Sequence, residues 1–206
     1  MSNEPATVGL RERNRRAVRA ELIEAAQDLF VAQGFEATTV DQIAAAVGMA
    51  KRTFFRYFPS KEDLVLGKYD ATAERLVESL EARPLDEPVW SSLRRVFDFV
   101  VDYTADAASA ARMAELDRVI QADPSLRASY LQRLDAMEVA LADAVRRRAQ
   151  AAGRPWVDDD PRPAAIVGAA FACLRAASAV AATSGRELAA VLDDAMAGVA
   201  PAGQDR

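Results

Sequence analysis

The chain has no histidine and a single cysteine, Cys173, among 206 residues. Without imidazole there is no Ser-His-Asp or Cys-His nucleophile, and one thiol allows neither an intramolecular disulfide nor a zinc site of the usual nitrogen and sulfur kind. These absences remove much of hydrolytic and metal chemistry, so no catalytic residue, metal or cofactor is expected. Long apolar runs are scarce too. The nearest, Ala164 to Leu174, is short and closed by Arg175, which predicts no membrane span. Met1 to Arg19 is polar and Arg-rich without the apolar core of a signal peptide, and predicts a cytoplasmic protein.

Strand patterning is missing as well. No stretch sustains an apolar/polar alternation and alanine is the commonest residue, so the chain should be all-α with about nine helices. From Arg13 to Gln33, Leu22, Ala26, Leu29 and Phe30 share one face of a first helix that stops at Gly34. Thr38-Thr39 caps a short second helix carrying Val40, Ile43, Ala44 and Val47, closed by Gly48. Lys51 to Phe58 forms a third, ended by Pro59, and Ser60-Lys61-Glu62-Asp63 opens a long fourth. Beyond Pro84 and Pro88 the spacing predicts one helix through Val89, Leu93, Val96, Phe97 and Val100, another through Met113, Leu116 and Ile120, and a long one from Ser125 to about Ala152. Two last helices, about Pro163 to Thr183 and Arg186 to Val199, flank Gly185. Asp158, Asp159 and Asp160 read as a solvated loop and not as a cation site, and Cys173 as a buried spectator.

A short second helix, a glycine turn and a short third helix make the layout of a helix-turn-helix. Val40, Ile43, Ala44 and Val47 can lock the second helix to the first, while the third turns Phe54 and Phe58 inward and Lys51, Arg52, Thr53 and Arg56 outward. Net charge is −5, which argues weakly against a nucleic-acid partner, but the average hides a division. Residues 1–58 hold 8 basic and 7 acidic side chains, against 18 and 24 in residues 59–206. Gln42 to Lys61 contains four basic residues and no acidic one, and Arg11 to Arg19 contains five arginines. Those arginines read either as an arm near DNA or as the solvated start of a helix.

The stretch Leu22 to Leu64, LIEAAQDLFVAQGFEATTVDQIAAAVGMAKRTFFRYFPSKEDL, strongly resembles the DNA-binding domain of the tetracycline-repressor (TetR) family of bacterial regulators. The markers are Gly34-Phe35, Thr38-Thr39-Val40, Ile43-Ala44, Val47-Gly48 and Thr53 to Phe58 followed by Ser60-Lys61-Glu62. The resemblance implies an Arg-rich arm at 1–19, a DNA-binding domain at 20–66, a ligand-binding and dimerisation domain at 67–200 and a tail at 201–206. It implies base or groove contacts for Lys51, Arg52 and Thr53, and phosphate contacts for Thr39, Phe55, Tyr57 and Lys61, with Arg56 beside them. Two residues depart from the family pattern: Ala50 cannot cap the third helix, and Phe55 lacks the hydroxyl of a tyrosine, leaving apolar contact such as with a thymine methyl.

The second half resembles regulators with a mycofactocin-regulator-like C-terminal domain, which implies an apolar or acyl-CoA-like effector. Trp90, Phe97, Tyr103, Met113, Leu116, Tyr130, Met137 and Phe171 are the candidate lining of such a site, or simply core. Arg175 is the candidate anion partner, or a solvent-exposed cation. The smooth helix carrying Ala169 and Ala177, with Leu188, Leu192 and Met196 on the last helix, is the candidate homodimer interface. The resulting expectation is a homodimeric repressor on a palindromic double-stranded operator, released by a small molecule. Two alternatives stand beside it: a DNA-binding regulator without an effector, and a helical ligand-binding protein that no longer binds DNA.

Overall fold

The structure, a computed structural model, describes residues 5–200, so the first four residues of the expected arm and the expected tail at 201–206 lie outside the described residues. Among the described residues there are ten helical segments and no strand. They are α1 (Pro5–Gln33), α2 (Val40–Ala46), α3 (Lys51–Phe54), α4 (Lys61–Glu81), α5 (Val89–Val96), α6 (Asp98–Ala105), α7 (Ala107–Ala122), α8 (Pro124–Ala151), α9 (Arg162–Ser184) and α10 (Leu188–Val199). Two differences from the expected pattern stand out. Helix α1 begins well before Arg13, so the arginines of the expected arm are helical. The single helix expected after Pro88 breaks at Phe97, whose ring is fully buried and which closes α5 while opening α6.

The helices form two compact units, residues 1–70 with 111–130, and residues 71–110 with 131–206. In the first unit Leu22, Ala26 and Phe30 of α1 pack with Ile43 and Ala44 of α2, Phe54 and Phe58. Leu116, Val119 and Ile120 of α7 and Leu126 of α8 complete that core. The α1–α2 corner is set by chemistry the sequence announced. Gly34 takes φ +84°, and Thr38, buried, donates its hydroxyl to the Gly34 carbonyl at 2.8 Å. One close approach was not announced: a Cβ on Gly67 would lie 2.7 Å from the Phe58 ring, so glycine is what lets α4 lie against that core residue.

In the second unit Phe97 and Phe171 meet edge to face at 5.4 Å, with Leu93, Leu141, Val145, Val167, Leu192 and Met196 buried in the same unit. Gly185 at φ +69° turns α9 into α10, and the Trp90 indole donates to the Met196 carbonyl at 3.1 Å. The end of α4 is held by a buried arginine. Arg148 donates to the carbonyls of Leu80 at 2.9 Å, Arg83 at 2.6 Å and Pro84 at 2.8 Å, satisfying groups a helix end leaves open. Burial lowers the pKa of this guanidinium and the nearby Glu87 carboxylate opposes that shift.

One expectation is corrected here. Asp160 is not solvated: it is 6% exposed, accepts from both the backbone and the guanidinium of Arg162, and is held at a pKa of about 2 by those bonds. Helix α9, with Arg162 and Arg175 its only charges, is long and apolar enough by length and composition to cross a membrane. Val167, Ala170, Phe171, Cys173 and Ala177 of that helix are buried within the protein. The Cys173 thiol, pushed up in pKa by burial, donates to the Ala195 carbonyl at 3.6 Å.

Candidate nucleic-acid interface

Helix α2 is fixed by a reciprocal cap. The Thr39 hydroxyl accepts from the Gln42 amide at 3.2 Å, and the Gln42 side chain accepts from the Thr39 amide at 2.8 Å. Gly48, at φ +69°, then reverses the chain, with Met49 N–H donating to the Ala44 carbonyl at 2.9 Å. Helix α3 starts at Ala50 with no side-chain cap, as the residue type requires, and is only four residues long. Turn bonds carry the helical path on: Arg56 N–H reaches the Thr53 carbonyl at 3.1 Å and Phe58 N–H the Phe54 carbonyl at 3.1 Å. Phe54 and Phe58 are buried, so tertiary packing and not cap or propensity holds this short helix in place.

That anchoring turns the opposite side outward. Lys51, Arg52, Phe55 and Arg56 are exposed, and Thr53 and Tyr57 are half-buried. Lys51 pairs with Asp41 of α2 at 2.8 Å, both side chains being more than half exposed. Phe55 stands edge-on to Phe54 at 5.4 Å with nearly half its surface open, which suits apolar contact. The Arg56 guanidinium lies 5.8 Å from the Tyr57 ring. Thr39 is exposed at the N-terminus of α2. Lys61 departs from the expected arrangement: its ammonium donates to the carbonyls of Phe35 at 2.7 Å and Thr38 at 3.1 Å and sits 3.9 Å from the Phe35 ring. It ties the α1–α2 corner to the start of α4, with two of its three N–H groups already engaged. At that start, Ser60 accepts from the Asp63 amide at 3.0 Å and donates to the Asp63 carboxylate at 2.8 Å, the cap the spacing predicted.

Sequence reasoning missed the part played by Arg19. Its guanidinium donates to the Tyr57 carbonyl at 2.6 Å and lies 4.2 Å from the centre of the Phe58 ring, fastening α1 to the turn that follows α3. The five-arginine run gave no sign of which member would turn inward. Next to this clamp Arg11, Asn14, Arg15, Val18, Arg56 and Tyr57 line an open cleft of about 480 Å³.

The expected effector residues are divided between the two units. Leu116 is part of the first unit's core, Tyr130 packs edge to face on Tyr69 at 5.0 Å in that same unit, and Met113 is half-buried there. Trp90, Phe97, Met137 and Phe171 are buried in the second unit, while Tyr103 is exposed. Trp90 lines an open cleft of about 310 Å³ with Arg94, Arg95 and Asp193. Arg175 is exposed and meets Glu138 at 3.3 Å. The expected dimer residues are corrected in part: Ala177, Leu192 and Met196 are buried inside the protomer, while Ala169 and Leu188 are half-exposed. The exposed apolar positions of α9 are Ala164, Ala165, Ala172, Ala176, Ala179, Val180 and Ala182, of which Ala165, Ala172, Ala176 and Val180 follow one another at i+7 and i+4 spacing.

Comparison with known proteins agrees with this layout. The pattern described as bacterial regulatory proteins, tetR family, matches residues 22–67, and that of the MftR C-terminal domain matches residues 87–204. The HTH-type transcriptional regulator TcmR of Streptomyces glaucescens is 39% identical over 167 residues, 79% of this chain and 72% of that protein. In fold, Bacillus subtilis FadR, solved in complex with stearoyl-CoA, aligns with a TM-score of 0.59 at 19% identity, over 86% of this chain and 95% of that one. Thermus thermophilus FadR in complex with lauroyl-CoA aligns with a TM-score of 0.54 at 24% identity, over 87% and 91%. With its helix-turn-helix and most of the remaining chain both matched, the protein belongs to the TetR family and is a transcriptional regulator.

Proposed function

We propose that this regulator is a cytoplasmic repressor that binds a palindromic operator as a homodimer, through Lys51, Arg52, Thr53 and Arg56 of each reading segment, and is released by a small apolar or acyl-CoA-like effector. The observation that carries the reading is the division of α3 and its following turn into a buried Phe54/Phe58 side and an exposed cationic side. Thr39, Phe55 and Tyr57 flank that side and take the sugar-phosphate backbone, with Lys61 bracing the corner behind them. Two copies read two half-sites about 34 Å apart. The exposed face of α9 around Ala172 and Ala176 is where a second copy packs, and Ala169 and Leu188 border it. An effector acts by population shift: it binds better to a conformation in which the two heads are wrongly spaced, and DNA binds better to the other. The acyl-CoA class is suggested by the two FadR structures, whose ligands are stearoyl-CoA and lauroyl-CoA. The open second-unit cleft favours, as a second reading, a regulator without an effector.

Genomic fragments retained by the protein and sequenced supply the operator. On that operator Lys51→Ala/Arg52→Ala should bind at least about a hundredfold more weakly with a shallower salt dependence; unchanged affinity removes the assignment. Acyl-CoAs of graded length should raise the melting temperature and release the operator, and a panel that does neither leaves the effector-free reading.

A further inference from the structure

The cleft beside the reading segment has one wall from α3 and its turn, Arg56 and Tyr57, and one from α1, Arg11, Asn14, Arg15 and Val18. The match to the family begins at residue 22, so the α1 wall belongs to a helical extension outside the matched domain. Helical spacing explains the wall. Arg11, Asn14, Arg15 and Val18 fall on one side of α1, whereas Arg13 and Arg16 fall on the other. Arg19, one turn further along the first side, fixes the register by gripping the Tyr57 carbonyl and covering the Phe58 ring. Three guanidiniums therefore share an open cleft with no carboxylate among its described lining residues. The cleft lined by Trp90 in the second unit is different: Arg94 and Arg95 lie there with Asp193, and Arg94 is bonded to it. A cleft of neutralised cations needs no further partner. Three guanidiniums with no carboxylate among the described residues beside them, each a planar fork matched to phosphate oxygens, suit a polyanion.

We infer that the α1 extension is a second DNA-binding element, in which Arg11, Asn14 and Arg15 with Arg56 form a track for backbone phosphates flanking the bases that α3 reads. The inference rests on the DNA-binding reading above and extends its footprint. It assigns Arg11 and Arg15 to affinity and not to base choice, because phosphates carry no sequence information directly. Arg19 is the positioning residue that aligns the two walls.

The test is a titration of the full chain against a fluorescent mixed-sequence duplex of about three helical turns at several salt concentrations. Arg11→Ala/Arg15→Ala should flatten the slope of log affinity against log salt by about 0.9 for each phosphate no longer neutralised, roughly 3 to 4 for two protomers. Its melting curve should match wild type, since both side chains are exposed. Arg13→Ala/Arg16→Ala removes the same charge from the opposite side and should change the slope by less than about 1. An unchanged slope in the first variant, or equal flattening in both, overturns the track. If Lys51→Ala/Arg52→Ala loses operator affinity while Arg11→Ala/Arg15→Ala behaves as wild type, the proposed function stands and this inference falls. A wild-type chain that binds no duplex at any salt removes both.

Discussion

The second unit and the outward side of α3 with the start of α1 use arginine in opposite ways. In the second unit, arginines are tied internally: Arg83 to Glu87, Arg94 to Asp98, Arg147 to Glu81, Arg162 to Asp160, Arg175 to Glu138 and Arg186 to Asp194. Arg148 goes further and spends its donors on carbonyls. In the first unit Arg112 and Arg118 are tied likewise, to Asp28 and Glu115, but on the outward side of α3 and its turn Lys51 meets Asp41 while Arg52 and Arg56 make no ion pair among the described residues, and Arg11 and Arg15 line a cleft with no carboxylate among its described lining residues. Exposed cations without partners cost little in water and become useful only when a polyanion arrives. The same residue type thus serves cohesion where it is paired and, on the proposed function, recognition where it stands exposed on α3 and its turn. The net −5 of the whole chain is the sum of those two roles and describes neither.

The sharpest way to break that contrast is to remove one arginine of each kind. Arg148→Met keeps an apolar stem but leaves the Arg83 carbonyl without its guanidinium donor and the carbonyls of Leu80 and Pro84 with only their backbone N–H partners. Because Arg148 is only 5% exposed, water cannot readily replace it, and the expected loss is about 3 kcal/mol, or roughly 6–12 °C in melting temperature. Arg52→Ala should melt within about 2 °C of wild type, since surface changes rarely exceed about 0.5 kcal/mol. Equal melting temperatures for the two variants would show that the inward arginine is no more structural than the outward one.

A smaller effect comes from acid. Glu87 accepts from Arg83 at 2.8 and 2.5 Å and from the Ser92 hydroxyl at 2.7 Å, and these bonds hold its carboxyl at about 2 against an ordinary 4.5. A carboxyl depressed on folding contributes stability that is complete above its unfolded value and is lost as pH falls through the folded one. Glu87→Gln should therefore lower stability by about 1 kcal/mol at pH 6, a figure reduced for solvent screening, and the gap from wild type should close between pH 4.5 and about 2. Thermal melts at pH 6 and pH 3 measure it. A gap independent of pH would mean that the Glu87 carboxylate is not what holds the second-unit loop.

Most of the recognition element could be read from the sequence because its signals are local. Gly34 and Gly48 take positive φ, Thr39 and Gln42 form the cap, and Phe54 and Phe58 turn inward, each within a few residues of its cause. What escaped was set by distant partners. Nothing near Leu116 or Val119 in sequence marks them as core for α1 and α2, and nothing near Gly67 shows that the Phe58 ring will lie over it. Arg19 and Lys61 looked like surface cations until carbonyls 38 and 26 or fewer residues away were found to hold them. The effector side was least legible, since an aromatic at helical spacing looks the same whether it fills a core, as Phe97 does, or faces solvent, as Tyr103 does.

The smallest expected effect lies at the Lys51–Asp41 ion pair on the outward side of α3, and it refines the contrast most closely. Lys51 and Asp41 are 53% and 65% exposed, so their 2.8 Å contact contributes little to folding, about 0.5 kcal/mol at most. On the proposed function Asp41 acts on binding, because it holds the Lys51 ammonium and adds a negative charge beside the cationic side of α3. Asp41→Asn keeps the size and polarity of the first turn of α2 while freeing the lysine. Melting should change by less than about 2 °C, and affinity for duplex DNA should rise about three- to tenfold at low salt, with a salt slope steeper by about 1 per protomer. If affinity does not move, Lys51 does not reach the duplex, and the outward role belongs to Arg52 and Arg56, the two cations of α3 and its turn that make no ion pair among the described residues.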